Sequence, residues 1–292
     1  MPELPEVETV RRGLEPTWSG ARLSRVRANR PDLRFPLPEG FVQRLSGATI
    51  LRLDRRAKYL LAPLDRGDTL VMHLGMTGRF EIAAPEGTIR PGDFAREVKP
   101  DDKHAHVVFE TEARNGGAGA VVTYHDPRRF GFMDLIATDQ VERHPWFATM
   151  GPEPLGEGFT AQTLIKAFAN RKQGPKTLLL DQKTVAGLGN IYVCEALHRA
   201  GISPFKPSGL IAGTRLGPLT TIIKDVLAEA VEVGGSTLKD FAAADGALGY
   251  FQHRFRVYDR EGEPCPTPGC KGVVTREVQA GRSTFFCPVC QV

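Results

Sequence analysis

The spacing of apolar residues changes once along this 292-residue chain, and that change excludes most architectures. Between residues 21 and 136 the apolar residues come in short runs: ARLSRVRA, TILRLDRRAKYLLAPL, TLVMHLGMTGRFEIA, HAHVVFE and AVVTYHDPRRFGFMDLI. They are rich in Val, Leu, Ile and aromatics and are divided by Gly, Pro and Asp, which predicts strands. A series of such strands predicts a β-sandwich or barrel. After about residue 160 the spacing becomes helical in TAQTLIKAFANR, PKTLLLDQ, NIYVCEALHRAG and GPLTTIIKDVLAEAVEVGG. Strands followed by helices predict an α+β chain. The turn-rich ATDQVERHPWFATMGPEPLGEGFT between them reads as an interdomain connection. The polar, proline-rich stretch 84–104 reads as a long loop. Residues 5–14 read as a short helix, with Pro5 at its first position, Val7, Val10 and Leu14 on one face, and Pro16 as its stop.

The length suits two domains, and a hydrophobic content of 41% gives each a core. No apolar run reaches membrane-spanning length, so no membrane partner is expected. The acidic, proline-broken start does not fit a signal peptide. A cytoplasmic protein is expected. The net charge of +4 says little, although residues 1–60 hold twelve Lys and Arg against seven Asp and Glu. No dimerisation feature or internal repeat is evident, and a monomer is expected.

Four of the five cysteines fall in the last 28 residues. Cys265, Cys270, Cys287 and Cys290 are spaced C-x4-C-x16-C-x2-C, two short pairs that a hairpin would bring together around one zinc. All four ligand positions are then taken by thiolates, which predicts a structural metal. GVVTREVQAGRSTFF reads as the hairpin, turning near Gln279–Gly281 with Arg282 at or near the tip. Such an arginine grips nucleic acid in zinc hairpins, and an ordinary surface arginine fits the residues as well.

Three further stretches carry candidates. In QKTVAGLGNIYVCEAL, Gly187 and Gly189 precede a helix with Asn190 as a natural N-cap and Lys183 nearby. That pattern suits a phosphate at the helix start or a tight helix–helix turn. In HDPRRFGF, Arg128 and Phe130 fall on one side if the chain is extended, and Met76 in HLGM is another apolar wedge. Such side chains can enter a base stack, or belong to a core or turn. In MPELPEVETV, removal of Met1 would leave Pro2 with a free secondary amine, and a free α-amino group has a reference pKa of about 8. That amine can attack an electrophilic carbon and form an iminium. Glu3 beside it suits acid–base work, and Glu6 lies one turn on. Acids in a first helical turn also complement the dipole. From these residues alone both readings stand.

Taken together, the motifs resemble the bacterial formamidopyrimidine-DNA glycosylases. MPELPEVETV, DRRAKYL around Lys58, HLGM, DPRRFG, GPEPL, DQKTVAGLGNIYVCEALHRAGISP and the cysteine hairpin occur in the family's order, and the match runs from residue 1 to 290. The resemblance implies an N-terminal two-sheet β-sandwich flanked by helices, then a helix–two-turn–helix domain ending in a zinc finger. The boundaries expected are 1–140, a linker at 141–158, 159–250, and 251–292. It implies excision of 8-oxoguanine and formamidopyrimidines from double-stranded DNA, with a lyase step that also acts at abasic sites. By resemblance Pro2 is the nucleophile, Glu3 the acid–base group, and Glu6 and Lys58 members of the catalytic set. Lys58, His73, Asn190 and Arg282 resemble the phosphate-gripping set, and Lys183, near the glycine loop, belongs with DNA binding. Met76, Arg128 and Phe130 fill the gap left by a flipped nucleotide, and one zinc is structural.

The chain departs from the family at the first cysteine pair, commonly C-x2-C, and in the length of the 84–104 stretch. It also departs in the basic HRFRVYDR at the end of the lesion-capping region 235–258. Endonuclease VIII-type glycosylases, which remove oxidised pyrimidines, resemble the chain at both ends. The leucine of PELPE and the DPRRFG stretch argue against that group.

Overall fold

The computed structural model describes residues 2–84, 87–91, 102–112, 119–236 and 250–292. They divide into two compact units.

The first unit takes residues 1–148 together with 234–249. It opens with helix α1 (Leu4–Trp18), which carries Pro5 in its first turn and buries Val7, Val10, Leu14 and Trp18 along one face. The helix does not stop at Pro16 as expected. The indole of Trp18 is fully buried, edge-on to Phe80 and Phe109 at 5.5 and 5.1 Å. Truncating a buried Trp costs about 3–5 kcal/mol, at least as much as the ~3 kcal/mol cost of a helical proline, so burial carries the helix one turn further.

Short helix α2 (Phe41–Leu45) follows strand β1 (Leu23–Ala28). The remaining strands are β2 (Asp54–Arg56), β3 (Tyr59–Pro63), β4 (Asp68–His73), β5 (Arg79–Ala84), β6 (Gly87–Ile89), β7 (Ala105–Thr111), β8 (Val121–His125) and β9 (Phe132–Ala137). One antiparallel sheet has the order β2-β3-β4-β9 and the other β1-β7-β8-β5-β6. Leu60, Leu70, Met72, Met133 and Leu135 of the first sheet meet Leu23, Val26, Phe80, Ile82, Val107, Phe109 and Val122 of the second in one core, joined by the buried face of α1. This is the expected sandwich.

Four stretches differ in detail from their sequence pattern. TILRLDRRAKYLLAPL contains a hairpin, β2 to β3, because Ala57 takes a left-handed φ of 52° at its turn. Part of the expected 84–104 loop is strand β6, paired to β5 through Ile82 and Ile89. Residues 92–101 of that loop lie outside the described residues. The other two runs each cross between sheets. β4 leaves the first sheet and β5 enters the second; β8 leaves the second and β9 returns to the first. His73 pairs with Phe132 and Arg79 with His125, so both crossovers, 74–78 and 126–131, lie at the same end of the sandwich.

The second unit takes residues 149–233 and 250–292. Its helices are α3 (Ala161–Phe168), α4 (Pro175–Leu180), α5 (Asn190–Arg199) and α6 (Leu216–Glu232). α5 packs on α6, and two short 3-10 turns, Ser208–Leu210 and Gly213–Arg215, lie between them in sequence. Tyr192, Ala196, Leu197, Ile223, Val226 and Leu227 are buried. The unit ends in the hairpin β10 (Thr275–Gln279) and β11 (Arg282–Phe286). Among the described residues no helix is long and apolar enough to cross a membrane.

Of the lesion-capping stretch expected at 235–258, residues 237–249 lie outside the described residues. The basic HRFRVYDR that follows is held by a buried acid. Glu195, with no exposure, accepts the N–H groups of Arg256, Val257 and Tyr258 at 2.9, 3.0 and 2.9 Å.

Candidate functional site

In the first unit Pro2 is buried and immediately precedes Glu3, the N-cap of α1. Glu3 and Glu6 form a capping box; the Glu6 carboxylate accepts the Glu3 N–H at 2.9 Å. The other Glu6 oxygen accepts the Ser236 N–H at 2.7 Å and its hydroxyl at 3.0 Å. Glu6 therefore holds Ser236 against the start of α1. Gly235 permits this approach: its φ is +84°, and an added Cβ would sit 2.9 Å from the Glu6 carboxylate. Nothing in the sequence pattern links positions 230 residues apart.

α1 packs on β2 and β3. Glu8 binds Arg55 of β2 at 3.1 Å along with Arg11 and Arg12, and Arg11 donates to the Leu53 carbonyl at 3.1 Å. These bonds tie the hairpin to the helix that carries Glu3. Lys58 sits at the hairpin's turn and is buried. The next residue, Tyr59, pairs with His73 across β3 and β4.

His73 stacks on Phe132 with ring centroids 5.1 Å apart and an angle of 9° between the planes. Tyr59 meets the His73 ring edge-on at 5.0 Å. The Gly75 N–H donates to His73 Nδ1 at 3.0 Å, which leaves the ring proton on Nε2. Burial, then the charges of Lys58 and Arg34, push the pKa of His73 down to about 4. His73 is thus a neutral Nε2–H donor at neutral pH. Histidine-selective NMR titration of the free protein should find this tautomer and no His73 midpoint above about pH 5.5. A midpoint near 6.5 would contradict it.

The two crossovers carry Met76, Arg128 and Phe130 to the same end of the sandwich. Met76 and Phe130 are 40% and 42% exposed, unlike the core residues their chemistry suits. The DPRRFG stretch is not extended. It turns, with Arg129 at φ 54°, and the Arg128 guanidinium lies 4.7 Å over the Phe130 ring. The loops are locked to each other through Asp126, which is fully buried. Asp126 accepts the Thr77 hydroxyl and, at 2.7 Å, the Gly131 N–H. Thr77 Oγ1 accepts the Arg128 N–H at 3.3 Å. Gly75, at φ +62°, passes so close that an added Cβ would lie 2.3 Å from the Phe130 carbonyl carbon. Asp126 and Thr77 were not singled out from the sequence; the acid ahead of Pro127 was the one available sign of a built turn.

In the second unit Asn190 is the first residue of α5, not its cap; Gly189 occupies the cap in an extended conformation. The Asn190 side-chain amide instead donates to the Ser283 carbonyl at 2.9 Å. The same carbonyl accepts from Lys176 Nζ at 2.8 Å, and Lys176 also donates to Thr284 Oγ1 at 2.7 Å. Lys176 is 1% exposed, an internal post fixing the hairpin beside Arg282. The hairpin turns at Ala280–Gly281, both left-handed, so exposed Arg282 stands next to the tip as expected. Lys183 is exposed in the turn after α4, and its N–H donates to Asp181 at 3.0 Å.

Cys265, Cys270, Cys287 and Cys290 converge with their sulfurs within 4.8 Å of one another. Cys265–Cys290 and Cys270–Cys287 are each 3.7 Å apart. A tetrahedron with Zn–S bonds of about 2.3 Å places its sulfurs ~3.8 Å apart. The cluster fits one structural zinc.

Sequence models of three domains match the chain: the formamidopyrimidine-DNA glycosylase N-terminal domain over residues 1–133, its H2TH domain over 150–242, and a zinc finger found in FPG and IleRS over 262–292. The chain is 88% identical over 292 residues to a formamidopyrimidine-DNA glycosylase of Caulobacter sp., covering 100% of both. It is 68% identical over 291 residues to that of Phenylobacterium zucineum, again with 100% of both covered. Among solved structures, the Thermus thermophilus MutM (Fpg) protein superposes with a TM-score of 0.80 at 40% identity, over 99% of this chain and 98% of that one. The Lactococcus lactis Fpg in complex with DNA containing an abasic site gives 0.83 at 34% identity, over 99% of each. With family models along most of its length and such relatives over all of it, the chain belongs to the formamidopyrimidine-DNA glycosylase family.

Proposed function

We propose that the chain is a bifunctional DNA glycosylase and AP lyase of base excision repair, acting on 8-oxoguanine and formamidopyrimidines in duplex DNA. The observation that carries this reading is the placement of Pro2 directly ahead of buried Glu3 at the N-terminal end of α1. The positive end of a helix dipole disfavours an ammonium there, and the adjacent Glu3 carboxylate opposes that effect. The amine nitrogen attacks C1′ of the damaged nucleotide as the bond from C1′ to the base breaks, and the proton the amine loses leaves with the base. Glu3 protonates the ring oxygen as the deoxyribose opens, leaving the sugar bound as an iminium. β-Elimination then expels the 3′ phosphate and δ-elimination the 5′ phosphate, and hydrolysis frees the amine.

C1′ is out of reach inside a stacked duplex, so the nucleotide must be everted. Met76, Arg128 and Phe130 fill the vacated space, with Arg128 on the orphaned base. Lys58, His73, Lys183, Asn190 and Arg282 hold the phosphates and keep the DNA in register. His73 does so as a neutral hydrogen-bond donor. Asn190 contributes the N–H of a helix start, since its side chain is committed to Ser283. Glu6 acts by position, fixing Ser236. The functional division follows 1–140 for chemistry, 159–250 and 251–292 for DNA binding, and 141–158 as the link. The enzyme works as a cytoplasmic monomer. A Lactococcus lactis relative of this fold was solved with Fapy-dG DNA, which supports the choice of lesion.

Paired duplexes test the reading. Excision and nicking should be faster on 8-oxoguanine opposite cytosine than on thymine glycol opposite adenine. Equal or faster processing of thymine glycol would favour an oxidised-pyrimidine enzyme.

A further inference from the structure

The zinc centre has more around it than its four thiolates. Zn2+ with four thiolates carries a net charge of about −2, and such charge away from water needs hydrogen-bond donors. One comes from the backbone: the Gly272 N–H donates to Cys270 Sγ at 3.3 Å. Two come from side chains. His198, in the last turn of α5, is 3% exposed, and its Nε2 lies 3.4 Å from Cys265 Sγ and 3.3 Å from Thr267 Oγ1. Thr267 Oγ1 in turn lies 3.7 Å from Cys290 Sγ. His198 Nδ1 is buried with no hydrogen-bond partner among the described residues, so the ring's polar contacts run through Nε2 toward the cluster. His198 is not a fifth ligand, because only the cysteines converge as a ligand set among the described residues.

We propose that His198 and Thr267 are outer donors to the zinc thiolates, positioning residues for the metal. His198 Nε2–H donates to Cys265 Sγ, and the Thr267 hydroxyl donates to Cys290 Sγ. Thr267 lies within the four-residue spacer of the first pair, Pro266–Gly269, and the longer spacer is what brings a hydroxyl to the cluster. Donation to sulfur withdraws charge from the thiolates and holds the metal. It also ties the zinc to the C-terminal end of α5, whose first residue, Asn190, fixes Ser283 beside Arg282.

The test uses the full chain carrying His198→Phe, His198→Gln or Thr267→Val, loaded with zinc or with cobalt as a spectroscopic probe. His198→Phe and Thr267→Val should each lower zinc affinity, measured by chelator competition, by about 10- to 100-fold. Both should move the sulfur-to-cobalt charge-transfer band to lower energy. His198→Gln keeps an N–H and should stay nearer the unaltered chain on both readouts. Unchanged affinity and an unmoved band in His198→Phe and Thr267→Val would overturn the proposal. If His198→Phe does not fold, Thr267→Val decides alone, since it exchanges one hydroxyl for a methyl on a loop.

Discussion

Replacing Glu3 with glutamine lowers the rate of base excision by about 10²- to 10⁴-fold, the usual contribution of a positioned proton donor. Fold and DNA binding should survive. Glutamine keeps an oxygen for the helix cap, so the capping role of Glu3 is preserved, and only the proton is lost. The substitution thereby separates the two readings of MPELPEVETV. If the first acids only complement the helix dipole, the change costs about 0.3–1 kcal/mol of stability and nothing in catalysis. If Glu3 protonates the sugar oxygen, melting is nearly unchanged and single-turnover excision of 8-oxoguanine collapses. A loss under tenfold in the single-turnover rate would remove Glu3 from the chemistry.

The second large effect is expected from the metal. Stripping zinc, or replacing Cys287 with serine, should unfold the terminal hairpin while the first unit keeps its circular dichroism. A two-stranded hairpin is marginal by itself. The buried cluster beneath this one is small, with Cys194, Val257, Val274 and Phe285, and Val278 on the hairpin is 72% exposed. Zinc binding in comparable fingers supplies about 10–16 kcal/mol, far more than such a cluster. Without it the bonds of Lys176 and Asn190 to Ser283 are too few to hold Arg282 at a folded tip. Loss of an arginine anchor costs ~2–4 kcal/mol of affinity, or roughly 30- to 1000-fold. Fluorescence anisotropy on a lesion duplex, with zinc content measured in the same samples, checks this. Full affinity in zinc-free protein would show that the finger is dispensable for binding.

What was readable in the sequence was mostly local. Apolar spacing located the sandwich strands and the four longer helical runs. Cysteine spacing found the four-thiol cluster, and Gln279–Gly281 found the turn that exposes Arg282. Pro16 misled because a local breaker rule cannot weigh the burial of Trp18 between Phe80 and Phe109. Asn190 misled because Gly189 serves as the cap and frees the asparagine side chain for Ser283, 93 residues away. Met76, Arg128 and Phe130 were visible as candidates, but their placement at one end of the sandwich depends on two crossovers between sheets and on Asp126, a buried acid with no periodic signal. Lys176 looked like any helical lysine and lies 1% exposed. In each case the missing information was a long-range contact, which spacing does not encode.

The proposed chemistry requires a covalent bond between the mature N-terminal proline and the sugar of the damaged nucleotide. Borohydride trapping on a duplex holding one 8-oxoguanine opposite cytosine, followed by peptide mapping, tests it directly. The expected result is a reduced adduct on Pro2, in chains that have lost Met1. An adduct on a lysine such as Lys58, or none despite tight binding to the same duplex, would contradict it.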